Sequence, residues 1–137
     1  MISRTGYTGE QGYELFVPAD RAGALWDTIM SAGIDKGLRP CGFACRDILR
    51  METGHLQYGN DLDETRTPIE SGLGSFVDFK KEFIGKEALL RLQAEGPKQK
   101  LIGFILVGSG IPRSGGSIFS ESSDIGVVTS GVQSPYR

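Results

Sequence analysis

Apolar residues recur at helical spacing just after Pro18. Ala22, Leu25, Trp26 and Ile29 fall on one face, which predicts a helix over residues 21–32 with Asp20 as its cap and Gly33 as its stop. A second helix is expected from Phe43 to Thr53, closed by Gly54, and a third from Lys86 to Glu95, closed by Gly96-Pro97. Between them, Thr67-Pro68-Ile69-Glu70 has the form of a capping box with proline at the first helical position. The strand signals are shorter. Tyr13 to Val17 follows a glycine-rich loop and ends at Pro18. Lys100 to Val107 is a continuous apolar run, and Ser117 to Phe119 and Gly126 to Thr129 lie between Gly and Ser turns. Trp26 and Phe43 are read as core, and His55 to Arg66 as an acidic surface loop with Asp61, Asp63 and Glu64 in solvent. The texture changes near Pro97, from α+β before it to all-β after it. Three short strands leave edges unpaired, so the β part reads as unfinished.

Composition narrows the class. Hydrophobic residues at 39% and charged residues at 23% are globular values over a chain of 137 residues, enough for one ordinary domain or two small ones. A net charge of −2 gives no electrostatic case for nucleic acid or an anionic membrane. No apolar run approaches the roughly 20 residues of a membrane helix, and the start lacks a signal-peptide pattern. Cys41 and Cys45 form no C-x-x-C pair and point to a reducing compartment, hence a cytoplasmic location. A metal site from Cys41, Cys45, His55 and Asp61 fits no familiar zinc spacing, so no metal is assigned. The three close acids could still invite a cation. Twenty glycines far exceed the roughly 7% average and stand singly at apparent element ends, as turns and helix stops do.

Two stretches carry chemistry. Arg4-Thr5-Gly6-Tyr7-Thr8-Gly9-Glu10-Gln11-Gly12-Tyr13-Glu14 is a glycine-rich loop feeding a strand, which lets backbone approach a flat ligand. It aims Tyr7 and Glu14 toward one pocket. A strand glutamate accepts two parallel hydrogen bonds from a planar amidine-like edge, as a pterin presents, and Tyr7 supplies an aromatic face. The competing reading is a hairpin with a solvent-facing glutamate. In the second stretch, Pro40 to Glu52, Arg46 has a local alternative as a helix-surface pair with Asp47, Glu52 or a neighbouring acid. Adjacent helix residues do not face one another, so Asp47 is the weaker partner. Lys80, Lys81 and Lys86 read as solvated surface that could also meet an acidic partner.

The first stretch resembles the R-T-G-Y-T-G-E-D-G-Y/F-E segment of the glycine cleavage T-proteins, the tetrahydrofolate-dependent aminomethyltransferases, with Gln11 where aspartate is usual. Pro40 to Glu52 is similar to the family's P-A/C-G-L-x-A-R-D-S/T-L-R-L-E helix. Tyr58-Gly59-Asn60-Asp61-Leu62-Asp63 resembles Y-G-H/N-D-I-D, and Thr67 to Leu73 resembles T-P-V/I-E-A-G-L. Phe83 to Leu89 resembles F-I-G-K-E/A-A-L. Pro112 to Gly115 and Gly126 to Gly131 resemble segments of the family's C-terminal barrel. Seven blocks in order cover nearly the whole chain.

The resemblance implies an α+β fold: a partial folate-binding α/β region over residues 1–97, then the start of an incomplete antiparallel β-barrel over residues 98–137. It implies that Glu14 holds the pterin of tetrahydrofolate, that Arg46 also contacts the folate, and that Tyr7 lines the pocket. The implied reaction transfers the methylene of an aminomethyl-lipoyl group, carried by the lipoyl-bearing H-protein, to tetrahydrofolate, with release of ammonia. The aspartate that the family uses falls in its N-terminal half. The expectation is therefore a fragment truncated at both ends, with no catalytic residue of its own, inactive alone, and self-associating through exposed edges. The alternatives are the folate domain of a sarcosine- or dimethylglycine-oxidising or demethylating relative, and a non-catalytic folate-binding remnant.

Overall fold

The computed structural model describes residues 1–136 and has two compact units, residues 1–55 with the chain end from Ser134, and residues 56–133. In the first unit, β1 (Ile2–Ser3) pairs antiparallel with β2 (Glu14–Leu15), Ile2 opposite Leu15 and Ser3 opposite Glu14. Reciprocal bonds between the Met1 amine and the Phe16 carbonyl, 2.8 Å, and the Phe16 amide and the Met1 carbonyl, 2.9 Å, extend the ladder. The glycine-rich loop is the connection between these strands. Proline at position 18 ends the ladder because it has no amide to donate.

Helix α1 spans Ala22–Gly33. Asp20 does not cap it: residues 19–21 form a 3-10 turn, and no side chain caps either start. Nor does the coil stop at Gly33. A further 3-10 turn, Ile34–Lys36, carries it to Gly37 in the left-handed conformation, φ 87°. The expected apolar stripe does form on α1, but Trp26 is 55% exposed rather than buried in a core. Phe43, at the first position of helix α2 (Phe43–Glu52), is 70% exposed. Neither expectation of a core side chain holds, because among the described residues no apolar element packs over them. What α2 buries is Arg50, 2% exposed. Its Nε donates to Asp47 Oδ1 at 2.7 Å and its Nη1 to the His55 carbonyl at 3.2 Å. At the end of α2 the Leu49 carbonyl accepts the Thr53 amide at 3.3 Å and the Arg50 carbonyl accepts the His55 amide at 2.8 Å, with the Thr53 hydroxyl 3.1 Å from both oxygens.

The second unit is held by polar staples. Asp61 is 3% exposed, so it is not the solvated loop acid the sequence suggested. Its Oδ2 accepts the Gln57 amide at 2.9 Å, and its Oδ1 accepts the Thr129 hydroxyl at 2.6 Å across 68 residues of sequence. A carboxylate is buried at low cost only when such donors replace its water. The capping box forms as expected: the Thr67 amide donates to Glu70 Oε2 at 2.8 Å and the Glu70 amide to Thr67 Oγ1 at 3.2 Å. It closes turns rather than a helix, with the Ser71 amide on the Thr67 carbonyl at 3.0 Å. The same turn anchors the Leu101 amide through the Glu70 carbonyl at 2.8 Å. Helix α3 spans Lys86–Glu95, with Lys86 bonded to Glu82 at 2.7 Å.

Hydrogen bonds from the Thr67 amide first, and its hydroxyl next, hold the Glu70 carboxyl below its ordinary value of 4.5. A group whose pKa is lower in the folded state contributes stability above its unfolded pKa and loses it as pH falls through the folded value. Acidification below pH 4.5 is therefore expected to open this box progressively. Amide exchange at Thr67, corrected for the intrinsic pH dependence, reads it; unchanged protection down to pH 2 would contradict it.

Strands β3 (Ser117–Ser120) and β4 (Ser123–Val127) form a hairpin with a bulge between Ile118 and Phe119. The tight turn, with Glu121 at φ 55°, starts the return strand earlier than the expected Gly126. Val128 follows it and is the buried apolar side chain of the unit among the described residues, tied by the Val128 amide to the Gly116 carbonyl at 2.8 Å. The expected strand Lys100–Val107 is not one. A strand needs a neighbour for its amides, and among the described residues the Leu101 amide alone of this run reaches a backbone carbonyl, that of Glu70. The fold is thus α+β with two two-stranded antiparallel sheets, and no closed barrel is present among the described residues. No helix among them is long and apolar enough to cross a membrane.

Candidate functional site

The loop between β1 and β2 opens an exposed cleft of about 300 Å³ in the first unit, lined by Thr5, Tyr7, Thr8, Glu14 and Arg46 among others. Glu14 stands on β2, where its pairing with Ser3 fixes the backbone. The Thr5 hydroxyl contacts Glu14 Oε2, so the loop orients one carboxylate oxygen. Arg46 comes from α2. Its guanidinium carbon lies 4.5 Å from the centroid of the Tyr7 ring and 5.6 Å from that of Phe43. That is cation–π distance, worth about 0.5–1 kcal/mol at an exposed position.

The three residues singled out from the sequence, Tyr7, Glu14 and Arg46, line the same cleft. The helix-surface alternative for Arg46 does not hold. Asp47 pairs with Arg50 instead, and Arg46 makes no ion pair among the described residues. Its charge therefore remains available to a ligand. A carboxylate and a guanidinium in one cleft with an aromatic ring between loop and helix offer a planar molecule an acceptor, a donor fork and a stacking face.

Sequence reasoning missed the support behind these side chains. The His55 ring lies 5.6 Å from the Tyr7 ring, and its Nδ1 is 2.8 Å from the Thr53 hydroxyl. Gly9 sits at φ 77° with its α-carbon so close to α2's end that a β-carbon there would lie 2.2 Å from Thr53 Cγ2. Glycine at this point lets the loop seat on the helix terminus, and the Gly-Tyr-Thr-Gly spacing is the signal that could have revealed it. Nothing in the sequence places His55 against Tyr7. Cys41 and Cys45 are free, and a hydrogen bond with Cys41, aided by partial burial, holds the Cys45 thiol above its usual value, which makes it a weak nucleophile. No group of three or more His, Cys, Asp or Glu side chains suited to a metal ion is present among the described residues.

Fold and cleft together describe an α+β protein whose exposed cleft is built by a glycine-rich loop, a strand and a helix. Residues 1–81 match the model of the GCVT N-terminal domain, and the chain belongs to that family, the glycine cleavage T-proteins. It is 54% identical over 136 residues to an aminomethyltransferase of Halothermothrix orenii, covering 98% of this chain and 38% of the relative. An aminomethyltransferase of Caldanaerobacter subterraneus subsp. tengcongensis is 51% identical over 98% of this chain and 36% of its own length. Among solved structures, the glycine cleavage system aminomethyltransferase T from Bartonella henselae superposes with a TM-score of 0.89 at 35% identity, over 98% of this chain and 38% of that one. The chain thus spans under two fifths of the relatives it matches.

Proposed function

We propose that the first unit carries part of a tetrahydrofolate site and that the chain is a portion of a glycine cleavage aminomethyltransferase, inactive alone. The observation that supports this reading most is the shared cleft of Tyr7, Glu14 and Arg46. Glu14 accepts two parallel hydrogen bonds from the pterin's ring N–H and 2-amino group, a charge-assisted bidentate contact. Tyr7 lends an aromatic wall, and Arg46, free of acid partners, reaches the folate's polar or anionic groups. Residues 1–97 belong to the folate-binding region and residues 98–137 begin the barrel domain.

In the proposed reaction of the whole protein, tetrahydrofolate N5 bonds the methylene carbon of an aminomethyl group held as a thioether-like adduct on the H-protein's lipoyl sulfur. The carbon–nitrogen bond to ammonia and the carbon–sulfur bond break as that carbon forms its second bond, to the folate's N10. The folate's two nitrogen-borne hydrogens appear on ammonia and on the lipoyl thiol, so no oxidant is required. This chain's residues contribute binding and orientation, which convert encounter into a positioned reaction. That the relatives are aminomethyltransferases favours this chemistry over that of the oxidising or demethylating folate enzymes.

Calorimetry with a reduced folate tests the reading. Saturable binding is expected, with Glu14→Ala weakening it about a hundredfold, the loss of a charge-assisted bidentate contact. Glu10→Ala, in the same loop but outside the cleft lining, should change little. Absence of saturable heat up to roughly millimolar ligand, or equal affinity in the Glu14→Ala protein, would sink the reading.

A further inference from the structure

The chain exposes more surface than a protein of its mass should. A folded monomer of 14.8 kDa has an accessible area of about 7,000 Å² by the usual mass scaling. This chain has 11054 Å². The excess, about 4,000 Å², is rich in large apolar side chains, and soluble monomers rarely expose such patches without a partner for them. Two patches stand out, one in each unit. On α1, Trp26 and Ile29 face outward from a helix whose contacts are with its own flanking 3-10 turns. In residues 102–107, Ile102, Phe104 and Ile105 are exposed, and among the described residues the amides of this run bond no carbonyl. It is an apolar strand sequence awaiting an edge.

We propose that these two patches are docking surfaces for the part of an aminomethyltransferase chain that lies outside the region matched here, and that the chain takes that part even when it is supplied as separate polypeptide. Two observations select this occupant over a second copy. The chain's fold matches a longer protein over 98% of its own residues, and the Halothermothrix orenii relative leaves roughly three fifths of its length outside the match. The area also fits. A standard interface buries about 800 Å² per partner, and even large obligate ones bury about 2,500 Å². One isologous contact would leave much of the excess uncovered, whereas a partner larger than the chain itself, touching both units, covers it. This inference goes beyond the folate reading, and its test uses no folate.

The test co-expresses the 137-residue chain with the outside segments of the Halothermothrix orenii relative, in the form in which those segments hold that relative's own matched region. A stoichiometric complex is expected by light scattering. Amides of α1 and of residues 102–107 should exchange roughly a hundredfold more slowly in the complex than in the chain alone. Trp26→Glu and Phe104→Glu should each weaken it at least about tenfold, since each buries a charge against apolar surface. Both side chains are exposed, so the variants' circular dichroism should match that of the parent chain. Three results would overturn the proposal: no complex with segments that bind the relative's own region; a complex indifferent to both substitutions; or a self-associated chain, protected at the same residues, that the segments do not displace.

Discussion

Gly131→Ala is expected to loosen the second unit by about 3 kcal/mol, near the upper end of overpacking costs. A β-carbon at 131 would stand 1.9 Å from the Pro112 carbonyl oxygen and 2.8 Å from its carbonyl carbon. Both obstacles are backbone, and the residue that carries them is a proline, so no side-chain rotation relieves the clash. The two segments must part. They flank the bonds that hold Val128, from its amide to Gly116 and from the Gly115 amide to its carbonyl. Amide exchange at Gly115 and Val128 should accelerate about a hundredfold, which is what 3 kcal/mol means for a local opening. Gly126→Ala is the comparison, since a β-carbon there meets nothing within 4 Å. Equal exchange in the two variants would show that the close approach of 112 and 131 contributes nothing to holding the unit together.

Arg50→Ala should have an effect of similar size in the first unit, about 3 kcal/mol, the lower end of what breaking a buried ion pair costs. The lower end applies because Asp47 keeps 30% of its side chain in solvent when its partner is gone. The loss also strips the His55 carbonyl of a donor. Arg50→Lys keeps the charge but not the planar fork, and so should fall between parent and alanine variant. Exchange of the His55 amide, which donates to the Arg50 carbonyl at 2.8 Å, reads the end of α2 directly. Because His55 lies against Tyr7, the alanine variant should also bind reduced folate more weakly than the parent. Parent-like exchange in both variants would mean that Arg50 is buried without holding anything.

Local rules were legible where the chain satisfies itself. The Thr67–Glu70 box and the bounds of α3 follow from residues within a few positions of one another, and both form as read. The cleft was legible for the same reason. Loop glycines, a strand glutamate and a helix arginine each have a local rationale, and the family resemblance joined them. What failed depends on distant or absent neighbours. Lys100 to Val107 has every strand property except a partner, and propensity cannot supply one. Trp26 reads as core from the sequence, but nothing among the described residues covers it. Asp61 erred in the opposite direction. An acid in an acidic, glycine-containing loop looks solvated until Thr129, 68 positions away, provides the hydroxyl that allows burial.

Trp26 is the chain's sole tryptophan, and it lies more than half in water on the outer stripe of α1. An indole bathed by solvent emits toward the red and meets dissolved quenchers, whereas one enclosed by apolar neighbours emits toward the blue and is shielded from them. The position of this one residue therefore makes the chain its own optical probe. Its emission colour tells at a glance, with no dye and no label on Cys41, whether α1 is bare or clothed.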